Sequence, residues 1–248
     1  MIEVKNLSVR YGEEKFVALT GVNLTVPTGT VCVLIGPSGC GKSSLLRAVA
    51  GLQSAAGGEV LVDGLPLKPT EKKIGFMPQN YGLLPWRTVR DNALLGCRIK
   101  GTIDSGTEAR LARLLAVLGL KGMEDRYPGE LSGGQQQRVS LARIFLMEPD
   151  ILLMDEPFSA LDTITREDMQ EVFLSLWRKQ AVTTLLVTHY VEEALYLGNK
   201  IVLMASHPGR VTDVMENPLF GATDLRSDPA YFALAGELRR KIKETRGA

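Results

Sequence analysis

Gly36-Pro-Ser-Gly-Cys-Gly-Lys-Ser43 constrains this chain more than any other stretch. It follows the apolar run Val31-Cys-Val-Leu-Ile35 and precedes Leu45-Leu-Arg-Ala-Val-Ala50, whose pattern is helical. Strand, glycine-rich turn and helix, in that order, is the context in which G-x-x-x-x-G-K-[ST] binds phosphate. Glycines let the backbone curl so that several N–H groups converge, and the helix that follows adds its positive end. Lys42 can reach the β- and γ-phosphates, and the Ser43 hydroxyl suits Mg²⁺. A chance match is expected in roughly 1% of chains of this length at ordinary residue usage. The stretch therefore predicts an α/β chain that binds a nucleoside triphosphate.

Composition narrows the class of partner. The 248 residues can bury a core as one domain, or as one domain with a lobe. Lys+Arg 29 against Asp+Glu 28 leaves no net field that would favour nucleic acid. The longest apolar runs, such as Thr183-Thr-Leu-Leu-Val187, fall far short of a membrane span. Met1-Ile-Glu-Val-Lys5 lacks the basic flank and apolar core of a leader. Cys32, Cys40 and Cys97 have neither zinc nor disulfide spacing. These features predict a cytosolic protein whose membrane role, if any, is borrowed from a partner.

Alternating apolar residues predict strands over 1–10 and 17–26, bounded by Tyr11-Gly12 and Pro27-Thr-Gly29. After the helix that follows the loop, Glu59-Val-Leu-Val62 and Ile74-Gly-Phe-Met77 read as further strands. From about 80 to 149 the pattern turns helical, at 110–118 and 136–145. Strands resume at 151–154, 182–187 and 201–204, with helices at 165–179 and 190–197 between them. A basic-ended amphipathic helix closes the chain at about 228–244. The expected organisation is one domain, residues 1–248, with a core at about 1–79 and 150–220 and a helical lobe at about 80–149.

Ile151-Leu-Leu-Met-Asp-Glu156 is an apolar run that ends in two acids. It predicts a buried strand whose carboxylates emerge at the C-terminal edge, where α/β sheets bind ligands. Asp155 would belong to the Mg²⁺ shell, and Glu156 would act as general base on the attacking water. Leu131-Ser-Gly-Gly-Gln135 precedes the helical run Gln136–Arg143. A serine cap explains the local structure. It does not explain the apolar run and acidic pair that follow at this distance.

Together these elements resemble the ATP-binding cassette (ABC) ATPases over nearly the whole chain. The resemblance implies a P-loop core with an N-terminal antiparallel β subdomain and an inserted helical lobe. It implies that Gly36, Pro37, Ser38, Gly39, Cys40, Gly41, Lys42, Ser43 and Ser44 hold the phosphates of ATP. Ser132, Gly133, Gly134 and Gln135 match the family signature, which contacts the γ-phosphate of ATP bound to the opposite subunit. One cassette is then half a site, and the ATP-bound state is a homodimer. Tyr11 resembles the aromatic that stacks on adenine. Gln79 resembles the glutamine that ligates Mg²⁺, alongside Ser43 and Asp155, and joins the core to the helical lobe. Ser159-Ala-Leu-Asp162 looks like the loop that crosses the dimer interface, and His189 like the histidine that bonds the γ-phosphate. Tyr190 departs from the aspartate common after that histidine, which leaves the following helix without a carboxylate cap.

Tyr81-Gly-Leu-Leu-Pro-Trp86 lies where the family receives a membrane subunit, and its apolar cluster suits a partner socket. Leu83–Asn92, Glu192–Leu197 and Ser206-His-Pro-Gly-Arg210 look like importers of the nitrate, sulfonate and taurine group. The implied partners are two transmembrane permease subunits and an extracytoplasmic solute-binding protein, with the chain at the cytoplasmic face of the membrane. A soluble ABC ATPase of DNA repair or translation is the alternative. It is disfavoured by the lack of long insertions and of a second cassette. A GTP-binding switch or small-molecule kinase fits the phosphate loop but not Leu131–Gln135.

Overall fold

The computed structural model describes residues 1–12, 16–206, 208–222, 225 and 228–245. In chain order the elements are β1 (Ile2–Tyr11), β2 (Phe16–Val26), β3 (Val31–Ile35), α1 (Lys42–Val49), β4 (Gly57–Val62), β5 (Leu65–Pro66) and β6 (Ile74–Met77). They continue with α2 (Val89–Lys100), α3 (Thr107–Val117), a 3₁₀ turn at Pro128–Glu130, α4 (Gly133–Leu146), β7 (Ile151–Asp155) and α5 (Thr163–Gln180). The chain closes with β8 (Thr183–Thr188), α6 (Val191–Leu197), β9 (Lys200–Ala205), β10 (Arg210–Glu216) and α7 (Pro229–Glu244). Two compact units result, one from Met1–Pro69 with Val182–Ala248 and one from Thr70–Ala181. Among the described residues no helix is long and apolar enough to cross a membrane. His207, part of the importer-like Ser206–Arg210 run, lies outside the described residues.

In the first unit, β1 pairs antiparallel with β2 and β4, and β4 with β5. The buried face of β1 shifts from Ile2 and Val4 to Leu7 and Val9. Asn6, at φ 49°, sits in a register shift between them, as a bulge requires. β3 lies between β8 and β9 and is parallel to both, which is why all five of its residues are buried. β10 continues from β9 as an antiparallel edge. Cys32, at the centre of β3, has its thiol pKa pushed up to about 12 by burial, so it is an inert apolar side chain.

In the second unit, β6 and β7 form a parallel pair with Met77 opposite Met154. The rings of Phe145 and Phe158 lie 6.3 and 6.2 Å from Phe173 in tilted and edge-on contacts. Such pairs contribute roughly 0.5–1.5 kcal/mol each beyond their buried area. α2 and β10 were not anticipated as elements. α2 starts at a Thr88 cap, whose side chain accepts from Asp91 N–H, and buries Val89, Ala93, Leu94 and Cys97 at helical spacing.

The Thr88 turn is organised by Asn92, which is fully buried. Its amide NH₂ shares its two hydrogens among the carbonyls of Leu84, Arg87 and Thr88, each 2.9–3.0 Å away. Its Oδ1 accepts from Leu84 N–H at 2.9 Å and from Arg143 Nη2 at 2.7 Å. Arg143 also donates to the carbonyls of Gly82 and Asn92, and burial lowers its pKa from the usual guanidinium range. Asn92→Leu would strand these groups where water cannot replace the amide. A loss of about 2–4 kcal/mol is expected, read as a lower urea midpoint. A midpoint equal to wild type would show that the network is dispensable.

Candidate functional site

The phosphate-type loop leaves β3 at Ile35, whose register partner in β8 is Thr188. Gly36 and His189 therefore leave the sheet at the same edge. A Cβ on Gly36 would fall 2.3 Å from the Met204 carbonyl oxygen, so only glycine permits this approach. Gly41 caps α1 at φ 89°, and a Cβ there would meet Leu19 Cδ2 at 2.5 Å. No side chain caps α1, and its first turn contains no acid. Its leading N–H groups and positive end thus face the loop as an anion site.

Lys42 opens α1 and is 6% exposed. Its ammonium donates to the carbonyls of Gly36 at 2.8 Å and Pro37 at 2.9 Å and lies 3.6 Å from Cys40 Sγ. Burial pushes the Cys40 thiol pKa up, with Lys42 opposing that rise. Tyr11 reaches the same loop, its hydroxyl donating to Ser44 Oγ at 3.3 Å. Phe16, Val17, Ala18 and Thr20 of β2 line a cavity of about 300 Å³ with Gly39, Pro208 and Gly209. Phe16 is the cross-strand partner of Tyr11. Sequence reasoning passed over Phe16 and gave Gly209 only as part of the importer-like Ser206–Arg210 run, because only register and the Gly209–Ala18 and Gly209–Thr20 backbone bonds bring them to the loop. At the edge shared with Gly36, the exposed His189 ring packs against Tyr190 with centroids 4.0 Å apart.

In the second unit the β6–β7 register brings Gln79 and Asp155 to one edge, each just beyond the Met77–Met154 pair. Asp155 is buried at 7% exposure, whereas Gln79 is exposed. Glu156 follows with φ 49°, a left-handed backbone that non-glycine residues rarely adopt. Ser159 fixes the turn, its hydroxyl donating to the Glu156 carbonyl at 2.9 Å. Buried Gln137 donates through Nε2 to the adjacent Pro157 carbonyl at 3.0 Å. Gln137 is another residue that sequence reasoning passed over, because its partner is 20 positions away.

Ser132 and Gln135 cap α4 reciprocally: Ser132 Oγ accepts from Gln135 N–H at 3.3 Å, and Gln135 Oε1 accepts from Ser132 N–H at 3.0 Å. Ser132 and Gly133 are exposed, and a Cβ on Gly133 would meet nothing within 4 Å. A Cβ on Gly134 would approach Thr165 Cγ2 at 3.1 Å. Thr165 in turn donates its N–H to Asp162, the cap of α5, at 3.0 Å. That bond holds the Asp162 carboxyl below the usual range. The α4 start and the Asp162 turn are thereby neighbours. Tyr81, at φ 61°, is buried with no hydrogen-bond partner for its hydroxyl, while Trp86 is 69% exposed. Within the apolar run at 81–86, Tyr81 belongs to the core and Trp86 to the surface.

Comparison with known proteins places this geometry. Residues 19–159 match the family described as ABC transporter. The aliphatic sulfonates import ATP-binding protein SsuB of Bacillus cereus is 42% identical over 201 residues, covering 81% of this chain and 79% of the relative. The taurine import ATP-binding protein TauB of Escherichia coli is 38% identical, with 100% of this chain and 99% of the relative covered. A solved dimeric ATP-binding cassette, in a post-hydrolysis state bound to ADP and Pi, gives a TM-score of 0.77 at 33% identity, covering 87% of this chain and 98% of that one.

The glycines differ in what they tolerate. Gly36→Ala should cost about 1–3 kcal/mol through its collision with the Met204 carbonyl, whereas Gly133→Ala should stay within about 0.5 kcal/mol of wild type. Urea denaturation of both variants checks this. Equal midpoints would show that the loop is not packed as described.

Proposed function

The chain belongs to the ABC transporter family and is an ATP-binding, ATP-hydrolysing cassette; from that premise we propose that it energises a bacterial-type importer of a small organic or inorganic anion, in the sulfonate, taurine and nitrate class. The observation that carries the nucleotide chemistry is Lys42, a buried ammonium between two loop carbonyls at the uncapped start of α1. The solute class is supported by the sulfonate and taurine importers whose ATP-binding proteins this chain resembles over most of its length.

In this reading the loop N–H groups and Lys42 bind the β- and γ-phosphates, and Tyr11 stacks on adenine. Ser43, Gln79 and Asp155 offer a hydroxyl, an amide oxygen and a carboxylate, an all-oxygen set that fits Mg²⁺. When bound, that ion would neutralise charge on the β- and γ-phosphate oxygens. Glu156 accepts a proton from water as the water oxygen bonds to the γ-phosphorus and the bond to the β,γ-bridging oxygen breaks. ADP and phosphate result. The left-handed Glu156 backbone supports this role, since strained residues gather where a side chain must be aimed. His189 bonds the γ-phosphate, and Ser132, Gly133, Gly134 and Gln135 of a second copy approach it from across a homodimer, with Asp162 at that interface.

The membrane side of the proposal consists of two permease subunits, an extracytoplasmic solute-binding protein and a position at the cytoplasmic face. The exposed indole of Trp86 supports a docking role, because a large aromatic left on the surface is a common anchor of interfaces. ATP closes the dimer, and hydrolysis reopens it.

Glu156→Gln keeps size and polarity but removes the base, so phosphate release should fall about 100-fold or more while ATP still binds. Without hydrolysis to reopen it, the variant should elute as an ATP-dependent dimer on gel filtration. Near-normal phosphate release would remove Glu156 as the base. The importer reading is tested by co-purifying the chain with its membrane partner. Recovery of a multispanning permease that Trp86→Ala reduces at least several-fold is expected. Recovery of nucleic acid or ribosomal components instead would favour a repair or translation ATPase.

A further inference from the structure

Tyr190 stands where the cap of α6 would be strongest with a carboxylate. Its backbone is extended at φ −95° and ψ 124°, and its side chain makes no capping hydrogen bond. Glu192 and Glu193 in the first turn of α6 place negative charge at the positive helix end. A cap residue that forgoes capping invites the question of what its side chain does.

The ring contact supplies the answer. Tyr190 and His189 have ring centroids 4.0 Å apart with 37° between planes, a close tilted contact. The turn that sets this contact is anchored, because Tyr190 N–H donates to Thr188 Oγ1 at 3.1 Å and Thr188 is almost wholly buried. Ala194 N–H donates back to the Tyr190 carbonyl at 3.1 Å, tying the same residue to α6. His189 itself is exposed, and the flanking ring narrows the rotamers open to its imidazole. Thr188 pairs with Ile35, so this orientation is fixed at the edge where Gly36 begins the phosphate loop.

We propose that Tyr190 is a positioning residue, its ring holding the His189 imidazole in the orientation that meets the terminal phosphate, at the expense of the α6 cap. The proposal rests on the reading of His189 as a γ-phosphate partner. It makes stability and activity move in opposite directions, which a purely structural residue would not do.

The test compares Tyr190→Asp, Tyr190→Phe and His189→Gln in the full chain. The chain has two histidines, so ¹³C-labelled histidine gives two ring signals, and His207→Gln assigns them. Tyr190→Phe should keep both the His189 ring-current shift and kcat. Tyr190→Asp should move the His189 signal toward its unstacked position and lower kcat about 3- to 10-fold, with KM for ATP within about twofold. The restored carboxylate cap should raise Tm by about 2–4 °C in the same variant. Unchanged His189 signal and kcat in Tyr190→Asp, or a kcat loss accompanied by a lower Tm, overturns the positioning role alone. Wild-type kcat in His189→Gln overturns the reading of His189, and the proposal with it.

Discussion

The Lys42 ammonium, buried between the carbonyls of Gly36 and Pro37, is the interaction on which the phosphate loop depends. A buried cation is tolerated only where acceptors replace its water, and here the loop must curl back on itself to supply them. That curl presses the backbone against its neighbours. Gly209 gives the measure of the crowding, since a Cβ there would lie 2.4 Å from the Cys40 carbonyl and 2.5 Å from that of Ala18. Gly209 also exchanges backbone hydrogen bonds with Ala18 and Thr20, so β2 and Gly209 are seated against the same loop. Anion binding and first-unit packing therefore share one set of constraints.

Helix starts differ in how they are closed, and α3 and α6, like α1, have no side-chain cap. α2 and α5 are closed by Thr88 and Asp162, and α4 by the reciprocal Ser132–Gln135 pair. α1 has no side-chain cap, and a nucleotide's phosphates can take the place that a side chain would fill. α4 combines both states. Its serine cap is satisfied within the chain, yet Ser132 and Gly133 stay exposed, with open space above the glycine. A helix end that is ordered before it meets an anion loses less entropy on binding than a frayed one.

Among the described residues six non-glycine positions are left-handed, and two of them follow the ends of β7 and β6 in the second unit. Glu156 and Tyr81 are both left-handed without being glycine, conformations that cost about 1–3 kcal/mol each. The surroundings over-determine them. Ser159 holds the Glu156 carbonyl, Gln137 the Pro157 carbonyl, and Ser140 the Tyr81 carbonyl at 3.0 Å. Phe158, two residues after Glu156, is held edge-on against Phe173. A carboxylate on such a turn is aimed by the backbone as well as by its rotamer.

Much was determined by the sequence alone, because the deciding contacts are local. The order of strand, glycine loop and Lys42 could be read directly, as could the apolar run ending in Asp155 and Glu156 and the serine before α4. Each is encoded within a few residues by periodicity, capping and turn chemistry. Tertiary structure alone decided what depends on partners far apart in the chain. Asn92 and Arg143 are 51 residues apart, and nothing local marks them as one hydrogen-bond network. Gln137 reads as one more helical glutamine until it meets Pro157. Tyr81 and Trp86 look alike in an apolar run, yet one is core and the other surface, because burial is set by what packs against a segment. Tyr190 read as a missing cap, and only the folded turn, through Thr188, converts that absence into a ring held against His189.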